Sequence, residues 1–471
     1  IGNSSTTCAC VFGQLTAGGF TGSLAGTASF ALALVGGGGG AAFPFTGSAQ
    51  ITGSLGVTGS INGLLVGRGN GNVSTNISIG STTAFSSSLN TSAINNVAIG
   101  SGSMQNITSG SNNIAIGQNT LCSNTTANNN IALGRYSLRC NTIGNNNTAI
   151  GYRALQANTT GRSNTAIGFC DLISNTTGNY NTAIGFCALL LNTTGRYNTA
   201  IGGTNALQQN TTGCNNVAIG GAGNLLFNTT GCNNTAIGGR FALLGNTTGA
   251  NNTAIGYQAL SCNATGSSNT AIGFCALRYF NGCNNIAIGR IALKGMYCYN
   301  PATYSPYVWT GGNNIALGYN ALACSRTANN NIALGFQSGY TNTLGNNNIS
   351  LGKYALRSND SVTGSNIAIG YLALCYNMGG NNNIAIGSKA FKDSPSIASQ
   401  TCCHNIGLGY NTQFTGSFSV ILGKDAKSTA SNQFVVGSVG TNVGAVTTET
   451  VSSTRTWSVV INGVARKILL A

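Results

Sequence analysis

The phrase Asn-Asn-x-Ala-Ile-Gly, with small variations, returns along most of this chain at steps of 17 or 18 residues. So short and strict a period leaves few folds open. Its Gly falls at 100, 117, 134, 151, 168, 185 and 202, then at 220, 238, 256, 273 and 289. After a gap it resumes at 318, 335, 352, 370 and 387, and weaker copies end at Gly409, Gly423 and Gly437. Gly80, in Ile77-Ser78-Ile79-Gly80, reads as the first copy.

A repeat of this length fits either a helical turn pair or one coil of a β-solenoid. Paired Asn, Thr-Thr-Gly and an internal Gly in every copy are poor helix material. Thr165-Ala166-Ile167 reads instead as a short strand, with β-branched residues on one face and Ala on the other. Gly168 then turns the chain, Leu172 supplies a second inward residue, and Asn175-Thr176-Thr177-Gly178 makes a polar turn. Leu138, Leu155, Leu172, Leu189 and Leu277 each lie four after the motif Gly; the spacing is five at Leu207 and Leu243, where the copy is one residue longer. Two strands per coil are expected, with Ile and Leu stacking on Ile and Leu of the next coil. Pro44, Pro301, Pro306 and Pro395 all avoid the regular copies, as a continuous ladder requires. The fold class is therefore all-β: a parallel β-roll or β-solenoid of about twenty coils of 14–18 residues. At ~4.8 Å per coil it would run for roughly 95 Å.

The repeat also sets the domain organisation. Residues 1–75 are rich in Gly, Ser and Thr and read as an attachment or strand-exchange region, with Gly36–Gly40 a flexible break. No Gly-Lys-Ser/Thr follows that run, so it is not a phosphate loop. The solenoid is expected over 76–438, with insertions at 294–312 and 392–405. Residues 439–471 read as a β-hairpin cap around Asn462-Gly463. The chain opens at Ile1 rather than Met, as a processed product or a portion of something longer would.

Catalysis has little to work with. The acids are Asp171, Asp360, Asp393, Asp425 and Glu449, and His404 is the only His. General acid–base chemistry needs positioned titratable groups, so the chain is expected not to be an enzyme and to carry no cofactor. Cys402-Cys403-His404 lacks the second cluster a zinc site would use, so no metal is expected. Charged residues are 5% and apolar ones 42%, which argues against disorder. No apolar run approaches the ~20 residues of a membrane-spanning helix.

Five features are candidates for contact with, or attachment to, other molecules. The Ala stripe (Ala166, Ala183, Ala200, Ala218, Ala236, Ala254) is a flat line of methyls that reads as a subunit interface, since a thin rod buries little by itself. The first insertion is dense in aromatics, and Tyr297, Tyr299, Tyr304, Tyr307 and Trp309 form a candidate surface-binding loop for a glycan or protein. Cys170 and Cys187, and Cys214 and Cys232, occupy equivalent places in adjacent copies. At ~5 Å spacing they are either candidate disulfides or buried thiols. The formal charge is +15, and Arg135, Arg240, Arg290, Lys353 and Lys424 follow the motif Gly by one or two places. They are expected to form a basic line that aids solubility or attracts a cell-surface glycan or another acidic surface. No module for specific nucleic-acid binding is present. Asn158, Asn175, Asn192, Asn210, Asn228 and Asn246 each head an Asn-Thr-Thr that matches a glycosylation acceptor. Because they belong to the repeat, a turn and an Asn ladder are the first reading.

These copies resemble the head repeats of the YadA-like trimeric autotransporter adhesins, whose heads are left-handed parallel β-rolls. The similar segment is Val420-Ile421-Leu422-Gly423-Lys424-Asp425-Ala426 through Phe434-Val435-Val436-Gly437, with a step of 14. The 17-residue copies, such as Asn147 to Leu155, look like longer repeats found in predicted phage tail fibres. Gly22 to Phe30 and Thr46 to Ser60 resemble tail-fibre proteins too. The end of the chain departs from the autotransporter pattern, being a hairpin rather than a membrane β-barrel. The resemblance implies a homotrimeric, non-enzymatic structural or adhesive fibre, extracellular or on a virion surface. A phage or viral tail-fibre-like shaft for surface attachment is the first expectation, and a self-assembling extracellular filament of a microbe the alternative.

Overall fold

The computed structural model describes residues 60–61, 64–67, 75–80, 93–295, 309–342, 344–358, 364–377, 379–392, 402–437, 456–461 and 464–469. These form a parallel β-solenoid of about 19 coils of about 17 residues, with no helix among the described residues. Successive strands from Ile77–Gly80 to Phe434–Val436 pair in parallel, each with the next in sequence. The register is the repeat itself: Thr165, Ala166 and Ile167 face Thr182, Ala183 and Ile184. At the N-terminal end Leu64–Gly67 pairs antiparallel with Ile77–Gly80 and with Ser60–Ile61. Thr456–Ile461 and Val464–Leu469 pair antiparallel with each other.

Each coil has one strand rather than the two expected. The Leu side of the coil is a chain of turns, because two residues per coil sit in the left-handed region, as Arg153 (φ 59°) and Leu155 (φ 53°) do. A backbone bent that way cannot run extended. It still joins the next coil: the Leu155 amide donates to Asp171 O at 3.0 Å and the Ala157 amide to Ile173 O at 3.0 Å.

Strand alternation decides what is inside, and it decides against the expected interface. Ala166, Ala183, Ala200, Ala218, Ala236 and Ala254 have no solvent exposure and form the core, packed against the Leu column. The Thr and Ile on either side of each Ala face outward, with Ile167, Ile237 and Ile255 each 36% exposed. Leu points inward as expected, but Ile does not stack on it. The physical reason is width. A coil of 17 residues leaves room between its two walls for one large side chain, and Leu fills it, so the facing residue is limited to a methyl. One exception fits the same limit. Where Phe391 replaces Leu, the facing Ala becomes Gly407, at which a Cβ would run into the Phe391 ring.

The corners of the coil are held by two buried columns of Asn. One runs from Asn76 to Asn405, one member per coil, across the insertion between Asn285 and Asn314. Asn164 is representative. Its Nδ2 donates to Asn147 Oδ1 at 3.1 Å and to Gly178 O at 2.8 Å, and its own Oδ1 accepts from the Asn181 amide at 3.0 Å. The second column runs from Asn124 to Asn263; in it Asn175 Nδ2 donates to Asn158 Oδ1 at 2.8 Å and to the same Gly178 O at 3.0 Å. That corner is crowded: a Cβ on Gly178 would meet Asn175 Oδ1 and Gly195 O, although Ala127 and Ala328 stand in place of Gly in two other coils. Nearly every buried amide atom thus has a partner in the neighbouring coil, which is what makes a polar interior affordable.

Candidate functional site

Two surfaces stand out once the core is assigned. The first is the outer face of the sheet, which carries two rows of apolar or β-branched side chains. The row before each Ala holds Thr, Ile or Val (Thr165, Thr253, Ile286, Val217), and the row after it holds Ile or Leu (Ile150, Ile255, Ile288, Leu334). Six of these, from Ile114 to Leu408, illustrate the exposure: Ile114 36%, Ile150 37%, Ile288 38%, Leu334 39%, Ile386 39% and Leu408 40%. No charged side chain interrupts either row between Val97 and Val436.

The second surface is the edge just beyond the motif Gly, where one side chain per coil stands in a single file. Backbone hydrogen bonds fix this file: the Cys170 amide donates to Tyr152 O, the Cys187 amide to Phe169 O, the Gln258 amide to Arg240 O and the Asn320 amide to Arg290 O. In the three 18-residue coils between Gly202 and Gly256 the extra residue is Gly203, Gly221 or Gly239, placed directly after the motif Gly, so that Arg240 stays in line with Ala222. The file holds rings stacked on rings. Phe169 and Phe186 are 5.1 Å apart, Tyr257 and Phe274 5.2 Å, and Tyr319 and Phe336 5.2 Å, with planes within 9° of parallel. It also holds the basic line expected from the sequence. Arg135, Arg240, Arg290, Lys353 and Lys424 are all exposed on it. The guanidinium of Arg290 lies 5.5 Å from the Phe274 ring and 5.6 Å from the Tyr319 ring, a cation between two π faces.

The expected aromatic loop is only partly visible. Tyr297, Tyr299, Tyr304 and Tyr307 lie outside the described residues. Trp309 is half-buried, bridges to Phe280 and carries the Arg326 guanidinium 5.3 Å from its ring. It therefore closes the core where the Asn124–Asn263 column stops and Phe280 takes its place, which also leaves Asn263 Oδ1 buried without a partner.

The four cysteines are free thiols in the structure. Cys214 Sγ and Cys232 Sγ approach to 2.9 Å, and the Cys214 amide donates to Cys232 Sγ at 3.1 Å. Their mutual hydrogen bond and burial push the Cys214 thiol above its ordinary pKa. Cys170 and Cys187 hold equivalent places in adjacent coils, and burial raises both. Asn158, Asn175, Asn192, Asn210, Asn228 and Asn246 are fully buried, and each Nδ2 is spent on its ladder, so the folded chain offers none of them to a glycan.

Two acids are among the described residues. Asp425 accepts from Asn411 Nδ2 at 2.8 Å. Asp171 is fully buried in the small-residue column between Ala154 and Ala188 and accepts from the amides of Gly185 (2.9 Å) and Ala188 (2.8 Å). Burial raises its pKa to about 6 against the opposing pull of those two amides. His404 stacks on Phe418 at 4.9 Å and meets Asn382 Nδ2 at 3.2 Å, while the Asn381 amide donates to Cys403 Sγ. No group of three His, Cys, Asp or Glu side chains gathers among the described residues, nor is any helix there long and apolar enough to cross a membrane.

No family model matches the chain, and no curated protein matches it.

Proposed function

We propose that this chain is a non-enzymatic structural fibre protein: an extracellular or virion-surface shaft of the tail-fibre kind, built from three copies and used for surface attachment. The observation that carries this reading is the outer face of the sheet, which carries no charge along its length, has Ile, Leu or Val in the row after each Ala, and has Thr in the row before it in seven coils. Roughly 20 coils at ~4.8 Å give a strip ~95 Å long, and its two rows stand about 7 Å apart. Allowing for side-chain width, that is on the order of 900 Å² per chain, near the ~800 Å² per partner of a stable interface. An uncharged strip of this size, apolar along one whole row, fits an interaction surface. Its occupant is argued from spacing, since a surface that repeats every coil is matched along its whole length only by another surface with the same rise. A second and a third copy of this solenoid have that rise. The number three comes from the resemblance to trimeric adhesin heads.

The alternative is an open extracellular filament in which copies join end to end. Mass photometry with negative-stain imaging of the purified protein separates the two. Discrete rods of three chains, unchanged on dilution, support the shaft. Filaments of indefinite length support the alternative, and single chains at micromolar concentration overturn both.

A further inference from the structure

The edge file has an order beyond its mixture of rings and cations. From Arg240 onward it reads Arg240, two rings, Arg290, two rings, Lys353, so a cation recurs every third coil, about 14 Å apart. Arg135 lies six coils before Arg240 and keeps the same phase. The rings between them, Tyr257 with Phe274 and Tyr319 with Phe336, are stacked face to face, so each presents its edge outward. The ring edge is the positive pole of the aromatic quadrupole. From Arg240 to Lys353, exposed rings (Tyr257 40%, Phe274 44%, Tyr319 37%, Phe336 39%) and exposed cations therefore form one continuous electropositive track. The chain has no acid between Arg240 and Lys353.

We infer that this file is a binding track for a linear acidic polysaccharide, laid along the solenoid with its carboxylates or sulfates on the Arg240, Arg290 and Lys353 cations. This rests on the reading of the chain as an attachment shaft and gives that shaft its ligand. Four features select the ligand class. The track is straight and one side chain wide, which suits an extended single chain. Single-stranded nucleic acid binds by stacking bases on open ring faces, and here the faces are taken by neighbouring rings 5.2 Å away. Duplex DNA carries a charge every ~1.7 Å along its axis, on strands that wind away from a straight edge, so a single file of widely spaced cations meets few of its phosphates. The Tyr257 and Tyr319 hydroxyls add donors suited to the hydroxyl- and carboxylate-rich surface of such a sugar chain.

The test is biolayer interferometry of the full chain on immobilised alginate, with dextran and duplex DNA as comparison surfaces, across a salt series. The wild type is expected to bind alginate, to ignore dextran, and to bind alginate at least tenfold tighter than duplex DNA. The triple variant Arg240→Gln, Arg290→Gln, Lys353→Gln is expected to weaken alginate binding at least tenfold and to flatten its salt dependence, because about three fewer counterions are released. All three side chains are exposed, so the assembly mass of the variant should equal that of the wild type, which keeps this result separate from the trimer reading. Absent alginate binding, an unchanged affinity in the triple variant, or equal affinity for dextran or duplex DNA would each overturn the assignment.

Discussion

Replacing Asn181 by Asp separates hydrogen bonding from packing, because the two side chains have the same shape. Asn181 is fully buried. Its Nδ2 donates to Gly195 O at 2.8 Å and to Asn164 Oδ1 at 3.2 Å, while its Oδ1 accepts from the Asn198 amide at 3.0 Å and from Asn198 Nδ2 at 3.1 Å. The substitution keeps both accepted bonds and removes both donated ones. In their place a second carboxylate oxygen faces two carbonyl oxygens with no donor. Two net hydrogen bonds are worth about 2 kcal/mol, and an unsatisfied buried polar atom adds about 1–3 kcal/mol, more when charged. The coil should therefore lose roughly 3–5 kcal/mol. Solenoids open locally as well as globally, so the assay is native-state hydrogen exchange read by mass spectrometry on peptides spanning 175–205. A loss of about 3 kcal/mol lowers protection there about a hundredfold. Acid should restore part of it, since a protonated carboxyl regains one donor. Protection within threefold of wild type at neutral pH would refute the claim that the Asn columns, rather than the Leu and Ala packing, hold the corners.

Two further outcomes follow from single side chains. The Asp171 carboxyl ionises near 3.8 when unfolded and near 6 in the fold, so the fold favours the proton. Its contribution is fully present below pH ~4 and falls by at most about 3 kcal/mol as pH rises to ~6. Asp171→Ala, which matches Ala154 and Ala188 in its column, should abolish that slope in the opening free energy of its coil, and a wild type with no slope would contradict the assignment. Diamide treatment should link Cys214 to Cys232, since their sulfurs lie within about 1 Å of bonding distance. The cross-linked peptide pair would appear by mass spectrometry and be absent from Cys214→Ser; its absence from the wild type would show that the two thiols are held apart in solution.

Much of the fold was legible because the repeat fixes where the chain must turn. The motif Gly cannot carry a Cβ at positions such as Gly168, where it would meet Gly185 O, and Leu172 needs a core. Which face of Thr165-Ala166-Ile167 points inward was not legible from hydropathy, because alternation allows either and the larger residues look like the better core. The deciding quantity is the width of the coil, which no short segment displays. A signal did exist. Asn164 keeps its identity in nearly every copy while the residue before it varies freely between Ser163, Tyr180, Tyr197 and Asn215, as expected if the first is inside and the second outside. The basic line was visible from spacing alone. The rings share its offset, with Tyr257, Phe274, Tyr319 and Phe336 each directly after the motif Gly, but their face-to-face stacking depends on side-chain orientation, which spacing does not give.

The proposed assembly requires the outer face of the sheet to be an interface between copies. Sedimentation equilibrium of the wild type beside the double variant Ile167→Lys, Ile255→Lys tests that most directly. Both residues are exposed in the single chain, so the variant keeps its fold, as its circular dichroism would confirm. Three chain masses for the wild type and one for the variant are the predicted result. A variant that assembles as the wild type does, or a wild type that stays a single chain, would contradict the account.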